Sequence, residues 1–537
     1  MGSKARKQVT QSVEVLAPLD GIRVSDQGIG PMSKGEGALY LDNLVPKDLG
    51  CTVRSGSKVW AINVPDADGP NGEIRTIIGY NDPTNLNNRL FAVTSSGIYD
   101  ITAGGVGPHT EEVAWPNQGG LAGWTSHINH TTPSGESWLL MCDEANGYYQ
   151  YDGTTWTAGT ITGGIPLAEN LVQITEWQNR IWFVERNSAT AWYLPIAQID
   201  GNPASIELGS RFLRGGNLIQ LAVWTIDDGA GLNDRLLAIS RGGDLLSFSG
   251  IDPDNADNFT MDGRWFVGSP PASRRVMSEW SGDVFIISSF GLLLASSVIA
   301  GNVSNEDDTV SHHIARYFRS QIRANGTFNG WASEFNGQEG LAIFNVPQAD
   351  SDTSAWTQFV YNLVTKAWCA YKGLKMLCMI KLPQGFFFGT PDGRVMQHIG
   401  NVDDAPLLGS DAVAAPIQFS MLTHFRDFGM KGNWKRAQFI RPYFIGQSKP
   451  IFSVSCNYDY DLKYEGVYPP ILDQGVSLWD TDLWGAASWG GGLEPSLFTY
   501  GGGYGMGRNV AVTMSGQAST AVSILRFDLM LETGGLL

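Results

Sequence analysis

One short pattern recurs along this chain and limits what it can fold into: a polar turn followed by four or five apolar residues. It appears at Asn88-Arg89 before Leu90–Val93, Glu136-Ser137 before Trp138–Met141, and Asn179-Arg180 before Ile181–Val184. It returns at Asp234-Arg235 before Leu236–Ile239 and at Gly282-Asp283 before Val284–Ile287, then at Gly340 before Leu341–Phe344 and Gly385 before Phe386–Phe388. The apolar runs begin 43 to 57 residues apart, the length range of a propeller blade. A second run follows each after a short turn, as in Gly97–Ile101, Gly147–Tyr151, Gly243–Phe248 and Gly291–Leu294. Leu171–Leu194 shows the unit most plainly. Three runs rich in Ile, Val, Trp, Phe and Tyr are separated by Glu176–Arg180 and Glu185–Ser188, which reads as antiparallel strands joined by hairpins. Trp156, Trp265 and Trp368 mark a further strand in their units. Such a unit has two apolar faces and cannot bury them alone. A radial array buries each face against the next unit and leaves only short edges. The expected fold is all-β: a β-propeller of about seven blades over residues 61–402.

The remaining segments are read around that array. Residues 1–17 are polar and basic, expected as a flexible arm. Residues 18–60 have sparse apolar positions and dense turn signals, an extended lead-in packing on the propeller or a platform. Val284–Ala300 is the longest uncharged apolar stretch, but Ser288, Ser289 and Gly291 divide it into a hairpin rather than a membrane span. One helix breaks the β pattern: Asp307–Arg323 has Val310, Ile314, Tyr317 and Phe318 at helical spacing behind an acidic cap. Its His312, His313, Arg316, Arg319 and Arg323 form a basic face, a candidate channel or partner contact. Residues 403–415 are a linker. Residues 416–537 carry period-two runs at Ile417–Phe425, Lys435–Ile445, Ile451–Tyr458, Asn509–Met514 and Ala521–Leu531, expected as a C-terminal antiparallel β-sandwich or barrel-like platform. A loop containing Trp479, Asp480, Trp484 and Trp489 is a candidate inter-subunit or adaptor interface, because Trp is enriched at interface hot spots.

Gly 65 and Trp 18 in 537 residues suit a β protein with many tight turns. The net charge of −17 argues against a surface that grips nucleic-acid phosphates. The five cysteines are odd in number and widely spaced, which reads as free thiols in a reducing compartment. Chemistry is scarce. His127 and His130 fall on opposite faces of a strand, and HExxH, GxSxG and the phosphate-loop motif are absent. Asp252–Asn258 lacks the central Gly and closing Glu of a calcium loop, so an Asx-rich turn is expected. Asp152-Gly153 is expected as a type I′ hairpin turn. No cofactor, metal or catalytic residue is expected.

The order of several segments resembles the tail hub (nozzle) proteins of short-tailed bacteriophages, also called packaged-DNA stabilisation proteins. The segments are Gly37–Pro46 with Arg54-Ser55-Gly56, Tyr151–Trp156, Asn179–Glu185 and Ala191–Pro195. Arg214-Gly215-Gly216, Gly250–Asp254, Tyr361–Cys369 and Phe388-Gly389 continue the likeness. The resemblance implies a structural virion protein in a ring, typically of six copies, beneath the portal and its adaptor. The ring would retain the packaged genome and conduct it during ejection, with tail fibre or needle/plug proteins as further partners. It implies assembly in the host cytoplasm, contact with the host envelope only during infection, and no catalytic residues. A head-to-tail contact between identical subunits closes into a ring when the rotation divides evenly. An acidic lumen would repel DNA within a Debye length of roughly 8 Å, so the genome slides rather than binds. The competing expectation is a carbohydrate-binding or carbohydrate-degrading propeller acting on a host surface polysaccharide.

Overall fold

The computed structural model describes residues 9–24, 37–66, 69, 72–84, 87–227, 232–255, 257–280, 282–301, 309–348, 356–407, 413–447, 450–462, 494–497, 500–501 and 505–534. Among these the chain is mostly strand, arranged in many small antiparallel sheets. No helix among them is long and apolar enough to cross a membrane.

Each recurrent marker of the sequence is the second strand of one small sheet. Sheet 1 holds Thr76–Tyr80, Arg89–Val93, Gly97–Asp100 and Thr110–Ala114. Sheet 2 holds Thr125–Thr131, Ser137–Asp143, Gly147–Tyr151 and Trp156–Ala158. Sheet 3 is Leu171–Trp177, Arg180–Glu185, Thr190–Tyr193 and Ala204–Glu207. Sheet 4 is Leu218–Asp227, Leu232–Ser240, Asp244–Gly250 and Phe259–Phe266. Sheet 5 has Met277–Trp280, Asp283–Ser288 and Gly291–Leu294. Sheet 6 starts with Ala332–Asn336, Leu341–Val346, Thr357–Asn362 and Trp368–Lys372. Sheet 7 has Cys378–Leu382, Gly385–Gly389 and Val395–His398, and is completed by Ser57–Ile62 from before sheet 1.

The first strand of each sheet packs on the first strand of the next, and that of sheet 7 packs on that of sheet 1, a closed circuit. The period-two pattern explains the stacking, because alternate side chains of one strand enter the cores on its two sides. Leu90 and Ala92 join a cluster with Ile380 and Phe387 of sheet 7. Phe91 and Val93 join Leu139 and Met141 of sheet 2. Leu140 and Cys142 meet Ile181 and Phe183 of sheet 3, while Trp182 and Val184 meet Leu221 and Leu236 of sheet 4. The hairpin at the heart of sheet 3 turns on Gln178 and Asn179, whose φ values of 53° and 55° are those of a two-residue type I′ turn.

A second body is woven from both ends of the chain. One of its sheets runs Leu44–Lys47, Gly50–Val53, Val522–Thr533, Lys435–Gly446 and Glu494–Leu497 in spatial order. Val9–Leu16, within the segment read as a flexible arm, is a strand of that sheet, with Val9 opposite Thr533 and Leu16 opposite Arg526. Its period-two valines bury Val15 fully and Val13 partly. The other sheet continues sheet 6: Trp368–Lys372 pairs in parallel with Ala38–Asp42, followed by Ala415–Thr423, Val510–Ala518 and Ile451–Tyr458. The two sheets meet through contacts such as Phe444 against Phe452, 4.9 Å between ring centres.

The helix differs from its expected bounds. Residues 302–308, with the acidic cap, lie outside the described residues. The described helix is Ala315–Asn325 after a 3-10 turn, His312–Ile314, and its start carries no side-chain cap. Ser311 is turned inward instead, its Oγ accepting from the Leu292 amide at 2.9 Å. Ile314, Phe318 and Ile322 give the buried stripe, and Phe318 meets Trp331 and Phe359. The apolar stretch 284–300 forms the expected hairpin and then a short helix, Ala295–Ile299.

Candidate functional site

The inner strand of each small sheet has one unpaired edge, and an unpaired edge needs hydrogen-bond partners. Side chains of neighbouring first strands supply them. Gln173 donates to the Leu221 carbonyl and accepts from the Leu221 amide, both at 3.1 Å. Gln220, third in the next first strand as Gln173 is in its own, does the same to Met277 at 2.8 Å each way. Asn129 donates to Gly79 at 2.9 Å and accepts from the Asn81 amide at 3.1 Å. Each is a two-point amide clamp between adjacent sheets.

Two consecutive arginines before sheet 5 reach further. Arg275 donates through Nε and Nη2 to the Thr125 carbonyl at 3.1 and 2.8 Å and also to Thr76 Oγ1. Arg274 pairs with Glu144 and donates to the Leu218 and Ile219 carbonyls at 3.0 Å. Sheet 5 is thereby tied directly to sheets 1, 2 and 4, through the interior of the circuit. His127 is held neutral there: burial first, and then the Arg275 charge, push its pKa down to about 4. His130 turns the other way and meets Glu176 at 2.9 Å. Among the described residues no group of three or more His, Cys, Asp or Glu could hold a metal ion.

The circuit joins the second body through a buried ion pair. Arg54 is 2% exposed and forks onto both oxygens of Asp403 at 2.8 and 2.6 Å. Its Nε donates to Asn43 at 2.8 Å, and its guanidinium lies 5.6 Å from the Tyr371 ring centre. Asn43 sits at φ 57° between two strands and bonds to Lys372 of sheet 6 and Gln418 of the second body. Ser55 donates to Glu339. A side chain at Gly56 would strike the Val402 backbone. His398 stacks on Tyr371 with ring centres 5.7 Å apart, and burial pushes its pKa down to about 4, with Arg54 aiding and Glu339 and Asp403 opposing.

The residues singled out by sequence separate in space. His312 and His313 belong to the 3-10 turn, their ring centres 3.6 Å apart. His312 Nδ1 lies 3.0 Å from the Thr309 carbonyl. Burial, then His312 and Arg23, push the His313 pKa down to about 4. The cationic stripe of the helix is therefore Arg316, Arg319 and Arg323, of which Arg316 and Arg323 are exposed. Trp479, Asp480, Trp484 and Trp489 lie outside the described residues. Asp252 and Asp254 receive Arg180 at 2.9 and 3.5 Å, and Tyr193 donates to Asp254 at 2.7 Å, so the acidic turn is clamped between sheets 3 and 4. The Asp152 turn differs from the expected two-residue form. Tyr151 pairs with Trp156, leaving a four-residue loop whose amides at Thr154 and Thr155 donate to Asp152. The five cysteines are buried and unpaired; burial raises the thiols of Cys378 and Cys456 to about 12. The amide clamps and the Arg274–Arg275 cross-tie were missed. The signals were an Arg pair in a chain with few basic residues and the repeated Leu-x-Gln opening of two strands.

No family model matches the chain, and no curated protein matches it. Solved structures match at low similarity. The extracellular domain of the putative one-component system BT4673 from B. thetaiotaomicron is 8% identical with a TM-score of 0.38. That match covers 79% of this chain and 61% of that one. Saccharomyces cerevisiae Sqt1 is 12% identical with a TM-score of 0.35, covering 69% and 96%. A glycoside hydrolase family 43 arabinoxylan arabinofuranohydrolase from Bacillus subtilis is 10% identical with a TM-score of 0.26, covering 86% and 95%. Likeness at this level assigns neither fold family nor activity.

Proposed function

We propose that the chain is a structural subunit of the ring-shaped tail nozzle of a short-tailed bacteriophage. In this reading the seven small sheets are the blades of a β-propeller, and the second body is a β-sandwich platform. About six copies joined head to tail enclose a bore below portal and adaptor. The bore retains the packaged double-stranded DNA and conducts it at ejection, and fibre or needle proteins attach beyond. The subunit is not an enzyme, and it assembles in the host cytoplasm before residing in the virion tail.

The observation that carries this reading is the weld between the two bodies. Sheet 6 runs on into the second body, Arg54 and Asp403 lock the join, and the chain's early strand Val9–Leu16 is sewn to its last, Val522–Thr533. A wall that must withstand a pressurised genome gains from such a rigid join. The ordered sequence resemblance supplies the phage context. The test is native mass spectrometry and negative-stain imaging of the purified chain, alone and with its adaptor, beside a screen against host polysaccharides. Rings support the nozzle. A monomer that ignores the adaptor and cleaves or tightly binds a polysaccharide overturns it in favour of the glycan-active propeller.

A further inference from the structure

The outer surface of sheets 4 and 5 and the helix carries arginines and aromatics in one connected patch. The Arg214 guanidinium lies 3.5 Å from the ring centre of Phe266. Phe266 meets Phe290 edge-on, with centres 5.2 Å apart. Arg319 of the helix reaches the Phe290 carbonyl at 3.5 Å, and Arg316 and Arg323 continue the stripe along the same helix face. Arg264 donates to the Arg211 carbonyl at 2.9 Å beside them. Apolar surface is left open between the cations: Leu213 is 74% exposed, and Phe266 and Phe290 are each 40% exposed. Among the described residues, Arg211, Arg214, Arg264, Arg316 and Arg323 form no ion pair with a carboxylate.

The opposite character lies across the circuit. In a closed series of seven, sheet 1 stands opposite sheets 4 and 5. Asp82, Asp100, Glu112 and Asp152 lie about Tyr80 and Tyr151 on sheets 1 and 2, whose rings meet edge-on with centres 5.3 Å apart, and Arg89 pairs with Asp100 at 3.7 Å. Glu112 is half-exposed and Asp152 exposed. Among the described residues, four carboxylates thus share this rim with one cation, Arg89.

We infer that the arginine–aromatic patch of sheets 4 and 5 docks on the acidic rim of sheets 1 and 2 of a second copy of this chain. Aromatic residues and arginine are the side chains enriched at protein interfaces, and an open apolar patch rimmed by charge marks an interaction surface. A chain of net charge −17 provides the acidic partner itself. Two different patches on opposite sides make the contact head to tail, which closes into a ring if the rotation allows. The inference rests on the ring reading and names its contact surfaces.

The test uses the full chain with two charge reversals, Arg214→Glu at an exposed position and Glu112→Arg at a half-exposed one. Sedimentation is followed against protein concentration and salt, with circular dichroism confirming that each variant is folded. The wild type is expected to associate at low salt and to dissociate as salt screens the contact. Each reversal is expected to raise the concentration needed for association at least tenfold. An equal mixture of the two variants restores association, because alternating copies always place opposite charges across the contact. Reversals that assemble as the wild type does, or a mixture that fails to recover, overturn the inference while leaving the ring reading standing. A wild type that stays monomeric, alone and with the adaptor, removes both. A monomer whose Arg214→Glu variant loses binding to a DNA duplex overturns the inference and assigns the patch to phosphate.

Discussion

The circuit of small sheets and the second body use the same kind of strand in opposite ways. Sheets 2, 3 and 4 each draw four strands from one continuous stretch, 125–158, 171–207 and 218–266. The second body draws on 9–16, 38–53 and 415–533, so that Val9 lies opposite Thr533. Contacts close in sequence cost less loop-closure entropy and form early, whereas distant pairings must wait for long loops to close. Sheets 3 and 4 share a compact apolar cluster, while the junction with the second body adds a buried, bidentate Arg–Asp pair to the large apolar core that body shares with sheets 4 to 7.

The contrast can be broken first at Arg54. Arg54→Ala leaves Asp403 without its partner at a largely buried site. Removing one member of such a pair costs about 3–5 kcal/mol. Urea unfolding followed by probes in both bodies should show the second body separating from the circuit at lower denaturant; a single unshifted transition would refute the weld. A smaller effect is expected from acid. The folded pKa of His398, about 4, lies below the ordinary value of about 6.5. The unfolded chain therefore takes up the proton first as pH falls. Stability from this group is full above about pH 6.5 and is lost progressively toward pH 4. His398→Phe keeps an aromatic ring for Tyr371 and should flatten the acid limb by up to about 1.4 kcal/mol per pH unit. Denaturation midpoints from pH 4 to 7 measure it, and His127 and His313 leave a residual slope. The smallest change belongs to the circuit. Arg180 also meets two aspartates, but their side chains are 38% and 56% exposed, and solvent screens such pairs. Arg180→Ala should cost about 1 kcal/mol or less in the same titration, so a loss matching Arg54→Ala would erase the distinction between the two regions.

What could be read from sequence follows the same division. The markers at Leu90, Trp138, Ile181, Leu236, Val284, Leu341 and Phe386 were visible because each strand and its hairpin partner are neighbours in the chain. The strands of the C-terminal region were visible for their period of two, within a few residues of their observed ends. The partners of Ser57–Ile62 and Val9–Leu16 were not, since the residues that pair with them lie hundreds of positions away and leave no local mark. The helix start was misplaced because Thr309 and Ser311, good capping residues by type, bury their side chains instead. At the candidate site, the histidines looked cationic in sequence. Only packing shows that His313 is driven toward neutrality, and only packing brings Arg214, noted in sequence for its place in the family likeness alone, beside Phe266 and Phe290.

The strand that completes sheet 7 leaves the ribosome hundreds of residues before its partner Val395–His398. During translation Ser57–Ile62 must wait with its edge open, and any polypeptide halted before residue 395 has no means of shutting the circle. Synthesis through residue 398 is thus a checkpoint written into the topology, because a product cut short of it carries an unclosed seam.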